Sequence, residues 1–407
     1  MSIFREIPPT AGFPLPVHEL FASWAKTRYP GSLEEDFITY LNVAYARIVC
    51  SGTAGLFYIA SALAELSDKR TVVVPAFICP SVVPAIIRAG FKVLVCDVRA
   101  GSFDYDVEAL AGMCRDNADI AAVLVMHLAG LPADMDPVLA IARLRNIHVI
   151  EDCAQSLGAE YHGRKVGSLG DFSFFSLARG KGLTTYEGGV VVCNSSRASE
   201  IVDKKITELE QENFLDEALM VLKLAGYVVF YRPSLFWWAY RLPELFWHLT
   251  GQKMRELSEY FSFDFPVIKV SPLRIWAGHA GFSRLETEIG RQRRMAERYR
   301  DALRGVPGIT FMREPPNSRA TFPYLALLLE DEKPGVLTPL KESAWGISES
   351  FSAAIPEYEG LKGHVTAGDC PHARALSRRI LTLSTSVFLT EAELAGVCRL
   401  IKGRCFP

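Results

Sequence analysis

Lys181 sits in the string Ser176-Leu-Ala-Arg-Gly-Lys181-Gly-Leu-Thr-Thr-Tyr-Glu-Gly188-Gly189, with a glycine on either side. A lysine in so tight a loop differs from a solvated surface lysine. Partial desolvation favours the neutral amine, and only the neutral amine attacks a carbonyl. The pattern therefore suits an amine that captures an aldehyde. Solvation is the ordinary fate of a lone loop lysine; here the surrounding residues argue against it. Ser176, five residues earlier, closes an apolar run and offers a hydroxyl to an anion.

Two further strings fit that amine. Val149-Ile-Glu-Asp152-Cys-Ala-Gln155 reads as an apolar strand that ends in an acid and turns past an amide. An aspartate at a strand tip can hold a protonated ring nitrogen through a charge-assisted hydrogen bond. In pyridoxal phosphate (PLP) that contact keeps the pyridine cationic, so the ring acts as an electron sink. A surface acid capping the next helix is an equal alternative for Asp152 taken singly. Cys50-Ser51-Gly52-Thr53-Ala54 opens a helical stretch with small residues. Free N–H groups and the positive end of a helix dipole there favour a phosphate. A plain N-cap by Ser51 or Thr53 is at least as good a reading.

These strings need elements to bring them together. Short apolar runs at 71–75, 92–97, 120–127, 148–152, 172–176 and 188–194 read as strands. Helical patterns at 53–66, 81–89, 106–115 and 136–144 alternate with the first of them. That alternation predicts an α/β fold with a mostly parallel central sheet sandwiched by helices. Ligands of such sheets sit at the C-terminal strand ends and the following helix starts. The division expected is a large domain over 1–265 and a smaller α+β domain over 266–407. In the tail, strands are predicted at 321–329 and 379–383 and a helix at 391–402, after one long charged helix over 276–303. Its Arg-Gln-Arg-Arg run at 291–294 reads as a solvated face. The stretch 217–248, rich in Phe, Trp, Tyr and Leu, is too broken by charge to span a bilayer. It reads as a hydrophobic helical pair buried against the body or a second subunit, with docking to a membrane surface or a lipid-like substrate as the sharper alternative.

Composition narrows the class. The 407 residues are 49% hydrophobic and 22% charged, with a formal net charge of -2. No field of one sign exists to recruit nucleic acid or an acidic membrane. The nine cysteines are odd in number and form no CxxC pair, so they read as buried thiols in a reducing compartment and imply no metal. The first residues lack a basic segment followed by an apolar run, which points to the cytoplasm.

Six strings in order, Ser-Gly-Thr-Ala, Val-Pro-Ala-Phe, His127-Leu-Ala-Gly-Leu-Pro-Ala-Asp-Met-Asp, Val-Ile-Glu-Asp-Cys-Ala-Gln, Gly-Ser-Leu-Gly-Asp and Gly-Lys-Gly-Leu-Thr-Thr-Tyr-Glu-Gly-Gly, give the chain from about Glu35 onward a resemblance. It is similar to the DegT/DnrJ/EryC1/StrS sugar aminotransferases, within the fold-type I PLP-dependent transferases. The resemblance implies that Lys181 carries the cofactor and shuttles a proton, and that Asp152 pairs with the ring nitrogen. Gln155 would meet the ring hydroxyl, and Ser176 with the amides of Gly52, Thr53 and Ala54 would hold the phosphate. His127 would lie behind the ring, with a satisfied core histidine as the alternative. The family's stacking aromatic aligns with Cys79, leaving Phe77 as candidate. Its Asn-Tyr-Arg-Met string, whose asparagine reaches the neighbouring subunit's phosphate, reads Val267-Ile-Lys269-Val270 here, with Lys269 as a cationic substitute. The implied activity moves an amino group, commonly from glutamate, to a nucleotide-linked keto-sugar in a homodimer with the site at its interface. Related sugar dehydratases carry histidine in place of the lysine, so Lys181 argues for transamination. A non-sugar acceptor, and a PLP-binding homologue without catalysis, are the alternatives.

Overall fold

The computed structural model describes residues 5–12, 32–208, 214–242, 261–330, 332 and 343–405. The large sheet has eight strands: β1 (Tyr45–Val49), β2 (Thr71–Pro75), β3 (Lys92–Cys96), β4 (Ile120–Met126), β5 (His148–Asp152), β6 (Phe172–Ser176), β7 (Gly189–Cys193) and β8 (Val365–Ala367). Their order is β1-β7-β6-β5-β4-β2-β3-β8. All neighbours pair in parallel except β7, which runs antiparallel to both β1 and β6. Every residue of β2, β4 and β7 is buried, as continuous Val/Ile/Leu runs covered on both faces require.

A second, antiparallel sheet of four strands runs Ile309–Phe311, Tyr324–Leu329, Ile380–Ser384, Ile347–Ser348. The chain beyond residue 266 supplies this sheet and also returns β8 to the large one. The parallel arrangement brings the tips of β5 and β6 to one edge, beside the start of the helix Gly52–Leu66. Gly189 makes that convergence possible. A Cβ there would lie 2.5 Å from the carbonyl of Ser51 and 2.7 Å from Gly52 N, so β7 presses backbone to backbone on the helix start.

Two expectations need correction. The long helix over 276–303 is two helices, Pro272–Phe282 and Leu285–Ala302, broken at Ser283–Arg284. The Arg-Gln-Arg-Arg run is not a wholly solvated face: Gln292 donates to the Ala11 carbonyl and Arg293 to that of Ala320. Both bonds tie the helix Leu285–Ala302 to segments that reach the site.

The aromatic stretch is half of what burial alone predicts. Phe214–Phe230 is one helix, followed by a short helix at Pro233–Phe236 and a π-helical turn at Trp237–Arg241; residues 243–248 lie outside the described set. Leu224, Tyr227, Val228, Tyr231 and Phe236 are buried. The outer face carries Leu215 (76% exposed), Leu219, Leu222 (68%), Val229, Phe230, Trp238 and Leu242. No single described helix is long and apolar enough to cross a membrane; Leu215–Phe230 with Pro233–Ala239 passes only as a pair bent by 117°.

Gly189→Ala is expected to destabilise by about 1–3 kcal/mol, the usual cost of forcing extra atoms into a packed site. Gly112→Ala, in the helix Val107–Asp116 with only an arginine side chain 3.7 Å away, should be neutral or stabilising by up to about 1 kcal/mol. Denaturant unfolding of the two variants checks the contrast.

Candidate active site

Lys181 rides a loop whose neck is closed by its own backbone. Leu177 N donates to Gly188 O at 2.8 Å, and Thr185 N and the Thr184 hydroxyl both donate to Leu177 O at 3.0 Å. Gly180 has φ +74°, and its N–H donates to the Tyr227 hydroxyl at 3.3 Å. Tyr231 donates its hydroxyl proton to Thr10 O at 2.8 Å. The aromatic helix and the N-terminal segment therefore brace the lysine loop from behind. Burial lowers the Lys181 ammonium pKa, opposed by Cys79 and Asp152. Asp152 is 4% exposed, and burial pushes its carboxyl up to about 6 against the Ala154 N–H, Lys181 and His127. It is neither a surface acid nor a helix cap: Oδ1 accepts from Ala154 N at 2.9 Å within its own turn.

Glu151, one residue before it, is 0% exposed and faces the other way. Its carboxylate accepts the N–H groups of Gly167 (2.8 Å), Leu169 (2.7 Å) and Gly170 (2.7 Å), and it meets His127 Nε2 at 3.0 Å. His127 Nδ1 accepts from Ala133 N at 2.9 Å, which assigns the proton to Nε2 and makes the imidazole a donor to Glu151. Both nitrogens are thus satisfied in the core. His127, Glu151 and Cys153 have ligand atoms within 4.8 Å of one another, but the histidine and the carboxylate already serve each other and the backbone.

At the helix start, the Ser51 hydroxyl accepts from Ala54 N at 3.0 Å. The N-cap reading holds for that amide, which corrects the placing of Ala54 among the phosphate donors. The N–H groups of Gly52 and Thr53 remain as the orphan donors of the first turn. A Cβ on Gly52 would lie 3.3 Å from Ser176 Cβ, so the helix start and the tip of β6 are in contact. The Ser176 Oγ accepts from Ala178 N at 3.3 Å, which leaves its proton to donate.

Gln155 completes the pocket. Its Oε1 accepts from Ala129 N at 3.3 Å and from the Tyr324 hydroxyl at 2.5 Å. A backbone N–H only donates, so the amide oxygen is the atom held there and the NH2 is the group left to a ligand. Gln155, Ser176 and Lys181 line one cavity with Thr10, Gln292, Thr321 and Tyr324. Of the last four, Gln292 fell in a run that the sequence reads as a solvated face, and the other three did not stand out.

Phe77 lies elsewhere. It is 0% exposed, its ring stacked on Phe103 and edge-on to Phe351, so it is a core aromatic and not the stacking partner. Cys79 is the residue of that segment that Lys181 and Asp152 sense, its thiol pushed up by burial. The segment holding Lys269 passes beside the helix start, where Cys50 Sγ donates to Pro266 O at 3.2 Å. The Lys269 side chain is half-buried and is not among the residues lining the cavity.

The fold is that of a fold-type I transferase of the PLP-dependent class, with an eight-stranded, mostly parallel sheet and a smaller antiparallel one. The model of the DegT/DnrJ/EryC1/StrS aminotransferase family matches residues 17–225 and 269–402, and the chain belongs to that PLP-dependent family. It is 26% identical to the GDP-perosamine synthase of Vibrio cholerae over 392 residues, 94% of this chain and 92% of that one. It is 33% identical to the 3-amino-5-hydroxybenzoate synthase of Amycolatopsis mediterranei over 161 residues, 40% of this chain and 41% of that one. The crystal structure of DesI with its TDP-sugar product superposes with a TM-score of 0.76 at 19% identity, covering 99% of this chain and 93% of that one.

The raised Asp152 pKa has a measurable consequence. In the protein without a ligand the folded state holds this proton more tightly than the unfolded chain does, about 6 against 3.8. The group's contribution is fully present below pH 4 and is lost as pH rises through 6, by roughly 3 kcal/mol. Unfolding free energies measured from pH 4 to 7 should show that decline, and Asp152→Asn should flatten it.

Proposed function

We propose that this chain is a cytoplasmic aminotransferase that carries PLP on Lys181 and passes an amino group from glutamate to a nucleotide-linked keto-sugar. The observation that carries the proposal is the cavity that Lys181 lines with Gln155 and Ser176, just past the buried Asp152 at the tip of β5, at the sheet edge where Ser176 meets Gly52. These groups fit the cofactor: a carboxylate for its ring nitrogen, an amide NH2 for its ring hydroxyl, a hydroxyl and two first-turn N–H groups for its phosphate. When bound, PLP supplies an electron-withdrawing ring that stabilises negative charge on the carbon next to the transferred nitrogen.

Each residue then has a task. Asp152, with Oδ1 held by Ala154 N–H, would pair with the ring nitrogen and keep its proton in place. Gly52 N–H, Thr53 N–H and the Ser176 hydroxyl anchor the phosphate at the positive end of the helix. Lys181 would hold the cofactor, and its Nζ would take a proton from the donor carbon and return one on the acceptor side. Burial, which lowers the Lys181 pKa, favours the free amine that this task needs. Beyond it, Thr10, Gln292 and Thr321 offer polar contacts while Leu285, Ile289 and Pro323 form an apolar wall. A hydroxylated ring with a deoxygenated edge suits that lining.

An acceptor without a nucleotide is the second reading. It is supported by the likeness to the aminohydroxybenzoate synthase. Lys181 is also the only charged side chain among the described cavity-lining residues, so no cation is seen there for a nucleotide's phosphates.

The active unit is a homodimer, with the exposed face of the helix Phe214–Phe230 in the contact between copies. Among the described residues, seven of the ten large hydrophobics that stand exposed fall between Leu215 and Leu242, a concentration rare on monomers. Leu222→Asp should halve the sedimenting mass; an unchanged mass would move the contact elsewhere.

Glutamate added to the PLP-loaded protein should abolish its yellow colour, and a nucleotide-linked keto-sugar should restore it. Recovery only with keto compounds that carry no nucleotide would favour the second reading. Colour that no amino donor changes would refute transamination.

A further inference from the structure

The loop after β4 and the segment leading into the strand Tyr324–Leu329 are locked together under strain. Ala129 and Phe322 both lie in the left-handed region, with φ of 58° and 54°, which side-chain-bearing residues seldom occupy. Between them Thr321 N donates to Gly130 O at 3.0 Å. A Cβ on Gly130 would lie 2.5 Å from the Thr321 hydroxyl and 2.6 Å from Phe322 N. The Phe322 carbonyl is held in turn by the Thr385 hydroxyl at 2.6 Å. The outcome of this packing is that two donors, Ala129 N–H and Tyr324 O–H, arrive at one acceptor, Gln155 Oε1.

We propose that Tyr324 is a positioning residue: with Ala129 it fixes the Gln155 amide so that its NH2 points at the cofactor's ring hydroxyl, and it thereby ties the small sheet to the charge state of that oxygen. The proposal rests on the reading that Gln155 meets the ring hydroxyl. Either donor alone leaves the amide free to swing about its terminal torsion, which is soft. Two donors on one oxygen fix the plane. The phenol is suited to the task because burial pushes its pKa up to about 12, so it stays a donor across the working range. Tyr324 touches neither substrate nor reacting atoms in this scheme; it acts through Gln155.

The test reads the pH at which the visible band of the PLP-loaded protein changes colour. A donor to the ring oxygen favours the high-pH form, in which that oxygen's negative charge is unshared, so losing the donor moves the midpoint up. Gln155→Leu should raise it by about 1–2 pH units, the worth of a hydrogen bond to a charged atom. Tyr324→Phe, which keeps the ring and its packing, should raise it by about half a unit or more, with kcat falling more than KM rises. The double variant should match Gln155→Leu alone, because both changes act through one contact. A shift in Gln155→Leu with none in Tyr324→Phe would overturn the proposal, as would additive shifts. No shift in either would remove Gln155 from the ring oxygen. The absence of any visible band in the unmutated protein with PLP would instead sink the cofactor assignment.

Discussion

Asp152 is buried at the tip of β5 and Lys181 lines the cavity just beyond it, and the attraction between the two charges offsets part of the cost of placing each there. A buried carboxyl resists ionisation and a buried amine resists protonation; the attraction between their charged forms opposes both tendencies. Without a ligand the compromise is a carboxyl near 6 and an amine below its usual range. That compromise is poised for a ligand carrying both an aldehyde and a basic ring nitrogen. Such a ligand takes the neutral amine and gives the carboxylate a cation to face. Geometry that would be a liability in an empty structural site would, on the proposed reading, contribute to holding a cofactor.

The surrounding structure can be understood as what holds this pair in register. Glu151 faces away from Asp152 and collects three loop N–H groups and a histidine, so the strand tip cannot twist. The glycines at 52 and 189 let three backbone segments meet where a single Cβ would push them apart. Tyr227 and Tyr231 reach in from the aromatic helix to the Lys181 loop and to Thr10. That helix, which in sequence reads as a hydrophobic element packed on the body or a second subunit, also meets the Lys181 loop.

Much of this was legible in the residues. Unbroken Val/Ile/Leu runs such as Val72–Val74 marked covered parallel strands, and the strings holding Ser51–Ala54, Asp152 and Ser176 are ones that the fold brings to one sheet edge. What failed did so for physical reasons. Phe77 and Cys79 lie two apart, yet the chain has left its strand at Pro75, so alternation no longer says which side chain faces the ligand. Tyr324 opens a run of apolar residues and reads as core; only the fold reveals that its hydroxyl meets Gln155. Glu151 is invisible as a buried charge because its partners are backbone amides that any sequence would supply. The break at Ser283–Arg284 carries no proline or glycine to announce it. The Ser51 cap on Ala54 was one of two open readings, and side-chain geometry alone separates them.

Reduction of the PLP-loaded protein with borohydride, followed by peptide mapping, tests the central claim most directly. The account predicts a single reduced adduct on the peptide that contains Lys181, and its absence in Lys181→Ala. An adduct confined to another lysine, or retained in full by that variant, would contradict it.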